Sequence, residues 1–331
     1  GYPQRWTETP PASDDRNALL SLALRPAPVT DQWIADGPKL SDLMAPTAGM
    51  TLIEADQPGQ EAEVIALLMR DAAERQERAT LITADGRLIR RVNAALARWL
   101  LRPNESAGQP LSLAPQGLFI RQVAALFGEA LTIDRLLILL KHPIAMTGSS
   151  SVPFNEAKLM ARDLELHLRD HGPAFPDGPT LRDWAAKGSE QRKPWAEWLA
   201  GMLDRIKAVE ADVTPRSLPD RLSDLRHLAE AFAAGPDGDV EESGLWKTRA
   251  GLLARATMDH LAAHAAEGPD MAPGDFNALL LDEFQQQMVR IEGEAHPLLQ
   301  IHGPREARIV GQGTVILAGL NEGGWPRALV P

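Results

Sequence analysis

The chain has 331 residues, 44% of them apolar and 24% charged, with a formal net charge of −11. No apolar run reaches the roughly 18 residues of a membrane span, no signal-peptide pattern opens the sequence, and the absence of cysteine excludes disulfides, thiolate zinc sites and iron–sulfur ligation within it. The negative balance excludes a surface that is basic overall, so a nucleic-acid contact must be a local patch, and the composition fits a cytoplasmic protein of two cores.

Residues 1–47 carry Pro10, Pro11, Pro26, Pro28 and Pro46 around one predicted helix, Asp14 to Leu24, with Ser13 as its N-cap, and read as a connecting arm. Thr51 to Glu54 and Thr80 to Thr83 are predicted strands. Each precedes a helical pattern, and β-α-β-α order implies a parallel sheet. The first helix, Gln60 to Glu74, carries Val64, Ile65, Leu67, Leu68 and Ala72 on one broad face; the second, Gly86 to Leu100, buries Leu88, Val92, Ala95, Leu96 and Trp99. Helices near Gly117 to Gly128 and Ile133 to Lys141 finish this half.

From Pro143 to about Glu294 no strand is predicted. Helical patterns near 155–169, 193–209, 217–234, 244–266 and 273–290 alternate with Pro/Gly-rich breaks such as GPAFPDGP. Strands return at Leu298 to His302, Ala307 to Val310 and Thr314 to Leu317, the last of them short, apolar and predicted to be buried. A strand pattern that stops, hosts a helical block and resumes implies an insertion. The expected fold is therefore α/β: a parallel-sheet domain from 48–142 plus 296–331, with an all-α domain inserted over 143–295.

A phosphate-gripping P-loop needs Gly-Lys-Ser/Thr, so that backbone amides and one ammonium surround the phosphates. No lysine follows a glycine, and Lys247-Thr248 follows Trp246 in a helical pattern. Arg87, Arg91, Arg98 and Arg102 lie within about 60° of arc at 100° per residue, and Asp85 is the sole acid between 79 and 102. Such a stripe can hold phosphates of single-stranded DNA; its plainer reading is a solvated helix face. Glu156-Ala157-Lys158 has the letters of a PD-(D/E)xK nuclease motif, but no Pro-Asp pair precedes it and it opens a helix. His167/His171 and His260/His264 are one helical turn apart without a third ligand nearby in sequence. No catalytic residue and no metal ligand is assigned.

The segment Gly319-Leu320-Asn321-Glu322-Gly323-Gly324-Trp325-Pro326, following the Val315 to Leu317 strand, resembles the loop after the last core strand of superfamily-1 helicase folds, Gly-Leu-x-Glu-Gly-x-(Phe/Trp)-Pro. Residues 50–142 resemble the opening of the second motor domain in UvrD, RecB and AddB relatives, including the His142-Pro143 corner. The nearest resemblance is to the AddB family, nuclease-bearing subunits of the AddAB double-strand-break repair complex. It implies a RecA-like 2A domain with a 2B-like helical insertion, excised from a longer protein that works on DNA with an AddA-like helicase-nuclease subunit. Mg²⁺ and an iron–sulfur cluster would belong to that protein outside this chain. The resemblance implies a motif loop of Gly319, Asn321, Glu322, Gly323, Trp325 and Pro326, and a turn from Asn104 to Gly108, with Ser106 and Gly108, where relatives approach DNA. Glu306 is the nearest match to a glutamate that touches the nucleotide ribose in relatives. The lysine of that motif is missing, and an ion pair with Arg305 or Arg308 is the alternative role. Where relatives carry an arginine for the γ-phosphate, the sequence has Thr83-Ala84-Asp85-Gly86. Two alternatives stand beside this reading: the ATP-coupling half of an active superfamily-1 helicase, and a helical interaction module on an unrelated α/β base.

Overall fold

The computed structural model describes residues 13–321 except 30, 41, 106–107, 266–267, 291–294 and 310–312, and the side chains of 27, 308 and 309 also lie outside the description. The chain divides after Glu61 into two compact units. In the first, α1 (Asp14–Ala23) starts as predicted, with the Ser13 hydroxyl accepting from the Arg16 amide at 3.1 Å. Two short helices follow, α2 (Asp31–Asp36) and α3 (Met44–Thr47). Arg16 reaches across the unit and donates to the carbonyls of Pro46 and Ala48. The strand expected over Thr51 to Glu54 is not formed. Leu52 is 83% exposed, and an apolar run without a ladder partner gains nothing by extending.

The second unit is α/β. α4 (Pro58–Glu74), whose buried residues all lie from Ala62 onward, leads into β1 (Ala79–Ile82), and α5 (Gly86–Ala97) leads into β2 (Pro103–Glu105). The later strands β5 (His296–His302) and β6 (Thr314–Leu317) join them in one parallel sheet of order β2-β5-β1-β6. Ala79 is in register with Leu299 on one side and Thr314 on the other. The sheet is therefore assembled from both flanks of the helical block. β1 is buried along its length, and it packs with Ile65, Met69, Leu88, Val92, Leu96, Leu299 and Ile301 in the smaller of two cores.

β6 departs from expectation. It is an edge strand, with Val315 46% and Leu317 55% exposed; Ile316 packs on the core. An apolar triplet reads the same at an edge as in the middle of a sheet. The strand expected at Ala307 to Val310 is instead a 3₁₀ turn, Glu306–Ile309, with Val310 outside the described residues. Asn104 and Glu105, expected in a turn, belong to β2, and Pro103 is tolerated there because an edge strand needs no donation on its open side.

The larger core belongs to helices α6 (Pro115–Ala124), α7 (Ile133–Lys141), α8 (Phe154–His171), α9 (Gly178–Ala186), α10 (Arg192–Ala211), α11 (Leu218–Ala234), α12 (Arg249–His264) and α13 (Pro273–Gln286). α6 and α7, expected with the sheet, contribute Phe119, Ile120, Val123, Leu136, Leu139 and Leu140 to this helical core. The cores part where β3 (Gln109–Pro110) pairs antiparallel with β4 (Met288–Val289), at the two chain crossings of the helical block. Trp184, Trp195, Trp198 and Phe232 form a chain of tilted and edge-on rings, and Trp195 Nε1 donates to the Met146 sulfur at 3.3 Å.

Candidate nucleic-acid interface and the carboxyl edge of the sheet

In a parallel α/β sheet the strands end on one edge and the helices that follow them begin there, so backbone amides and loop side chains converge on it. Here β1 runs out into Thr83, whose amide donates to the His302 carbonyl at 3.2 Å. The Thr83 hydroxyl accepts from the Asp85 amide at 3.1 Å, and Asp85 caps α5 by accepting from the Arg87 amide at 2.7 Å. A carboxylate thus occupies the position at the helix N-terminus that an anionic ligand would take. After β6, Gly319 has φ +74, and a Cβ there would stand 3.0 Å from the Thr83 hydroxyl. Glycine at this point lets the two loops meet.

Glu306 is half-buried, and a Cβ on Gly303 would lie 2.7 Å from its Oε2. Glu306 and Arg305 form no ion pair among the described residues. Arg308's side chain lies outside the description, as do Ser106, Glu322, Gly323, Trp325 and Pro326, so most of the motif loop does too; Asn321 is exposed. Glu105, at the end of β2, accepts from Asn93 Nδ2 at 3.4 Å, and burial pushes its carboxyl above the ordinary range while Asn93 draws it back. Gly108 is no open approach. It is buried at φ +69, where a Cβ would collide with the Val289 carbonyl at 2.7 Å.

The predicted arginine stripe does not lie on one helix. Leu100, at φ +58, closes α5: its own amide bonds to Ala97 and the Leu101 amide reaches back to Leu96, the pattern of a Schellman C-cap. Arg102 therefore lies past the helix, beside β2. Arg98 stands 3.7 Å from Glu63 and lies over the Trp99 ring, which Arg70 also covers. Arg87 and Arg91 remain on the exposed face, joined by Arg90, and none of these three guanidinium groups has an ion-pair partner among the described residues. Arg90 was legible: it is three residues from Arg87 and on the same helical side.

The Glu156-Ala157-Lys158 letters have a structural explanation. Lys158 Nζ donates to the carbonyls of Leu140 at 2.8 Å, His142 at 2.6 Å and Ala145 at 3.4 Å, closing the C-terminal end of α7, while Glu156 faces solvent. Burial lowers the Lys158 ammonium to about 8. His142, 6% exposed against Phe119, accepts from the Ile144 amide at 3.3 Å; burial and the Lys158 charge lower it to about 4. The other histidine pairs lie ring to ring, His167/His171 at 5.8 Å and His260/His264 at 4.3 Å. Among the described residues no group of three or more possible ligands is arranged to hold a metal ion.

No protein-family model and no curated protein matches the sequence. Among the described residues no helix is long and apolar enough to cross a membrane.

Proposed function

We propose that this chain is a RecA-like 2A domain with a 2B-like helical insertion. It would serve as a scaffold and DNA-path element in an AddB-like protein that processes broken DNA ends. In that reading it works in the cytoplasm beside an AddA-like helicase-nuclease, and the Mg²⁺ and iron–sulfur chemistry belongs to other parts of the protein. The observation that carries the reading is the pairing of two features on α5. Its Arg87 amide is capped by the Asp85 carboxylate, and its exposed side offers Arg87, Arg90 and Arg91 without acidic partners among the described residues. The cap opposes a nucleotide phosphate at the sheet edge, whereas the arginines suit a phosphodiester backbone running outside it.

The non-catalytic half of the reading is tested by titrating Mg²⁺-ATP into the chain in a calorimeter. No saturable heat is expected, because the chain lacks both the amide-and-lysine cradle and a cation at Thr83 to Gly86. A saturable site of micromolar affinity would favour the ATP-coupling half of an active helicase instead.

A further inference from the structure

α8 turns Ala157, Ala161, Leu164 and Leu168 into the helical core. Its opposite face carries Asn155, Leu159, Arg162, Leu166 and Arg169, all exposed. Their alternating spacing of four and three residues is that of a coiled-coil seam. Leu159 is 64% and Leu166 56% exposed. Beside this face an open groove of about 430 Å³ lies against the Ser189 to Arg192 turn, with Leu159, Met160 and Leu166 on its wall. A helix whose outer face lines a groove with two exposed leucines between charged residues is suited to receive another helix.

The charges on that face complement their own reversal. With two copies of α8 antiparallel about a two-fold axis between Arg162 and Asp163, Leu159 meets the second copy's Leu166, Arg162 meets its Asp163, and Glu156 meets its Arg169. Asn155 meets the second copy's Asp170, and these residues too are exposed. Arg162 and Glu156 have no ion-pair partner among the described residues. Asp163 is held by Arg192, and Arg169 by Glu165 at 3.1 Å and Asp134 at 3.9 Å, so each charged cross pair joins one unpaired group to one already oriented. A two-fold interface uses the same patch on both subunits and therefore requires this self-complementarity.

We propose that the outer face of α8 is a homodimer seam, occupied by α8 of a second copy in antiparallel register. A single helix pair with two leucines per side lies at the weak end of specific interfaces, so the dimer forms in a concentration-dependent way. Sedimentation velocity on the 331-residue chain, over roughly 5 to 500 µM, the range in which micromolar-to-millimolar association is read, should show mass rising toward that of a dimer. Leu166→Glu should abolish the rise. The chain has no cysteine, so register can be read directly: Leu159→Cys and Leu166→Cys proteins, mixed and oxidised, should give the mixed disulfide dimer in several-fold excess over either self-linked dimer. A constant monomer mass across the series overturns the proposal. So does a Leu166→Glu protein that dimerises like the parent, or a mixed disulfide dimer at only the twofold statistical excess over each self-linked dimer.

Discussion

Lys158→Met is expected to lower the stability of the helical block by about 1.5 to 3 kcal/mol at pH 7, the range for hydrogen bonds to a charged group, here lost from a half-buried site. Methionine refills the volume of the lysine stem but leaves the Leu140 carbonyl, at the open end of α7, without the ammonium that satisfies it. The His142 carbonyl retains the Ala145 amide at 3.1 Å, so the loss is smaller than three full bonds. Desolvation of the ammonium opposes the stabilisation, and it is the reason the group sits near 8. Urea unfolding followed by tryptophan fluorescence reads this block, since Trp184, Trp195, Trp198 and Trp246 all lie in or against its core. A shifted midpoint with an unchanged slope is the expected signature, and an unshifted midpoint would mean that Lys158 does not close α7.

Acidification should unfold the same corner. His142 has a folded value of about 4 against an ordinary 6.5, so between those values the unfolded chain binds the proton more tightly. Its contribution is complete above pH 6.5 and is lost as pH falls from 6.5 to 4, by about 3 kcal/mol in all. His167, lowered by burial and by His171, adds to the loss with the same sign. Carboxylates held low by their partners, Asp212 and Glu165 among them, add their losses below the ordinary carboxylate range, and Glu105, raised by burial, works against the histidines from the sheet, so the fall between pH 6.5 and 4.5 is assigned to His142 by its variant. His142→Asn keeps an acceptor for the Ile144 amide and removes the titration. Stability of that variant should fall much less across the window, and a slope equal to the parent's would assign the acid sensitivity elsewhere.

The helices were legible wherever caps and periodicity agreed. α7 occupies its predicted span, Ile133 to Lys141, and the structure adds Thr132 as its cap; Ser13 caps α1 as expected. α9 was missed although Asp177 caps it and Pro179 stands in its first turn, because the surrounding Gly-Pro punctuation reads as loop. Strands were less legible, for a physical reason: a strand exists only through its neighbours. Thr51 to Glu54 and Thr80 to Thr83 look alike as apolar, β-branched runs, and only the second finds partners, in β5 and β6 more than 200 residues further along. At the carboxyl edge, the acidic cap at Asp85 could be read from sequence. The meeting of Gly319 with Thr83 could not, since it depends on which strands pair with β1. The arginine stripe failed at Leu100, where an ordinary leucine takes the left-handed conformation that sequence reserves for glycine.

The central claim, that α5 offers a phosphodiester-binding face and the chain is a DNA-path element, is tested most directly by fluorescence anisotropy of a labelled oligo-dT across a salt series. Three arginines at roughly 0.7 per neutralised phosphate give a log–log slope of about 2 at most. Affinity should be modest, because the chain as a whole carries −11. Replacing Arg87, Arg90 and Arg91 together with alanine is expected to weaken binding at least tenfold and to flatten the slope to near zero. Affinity and slope unchanged in that variant would contradict it and leave those arginines as a solvated helix face.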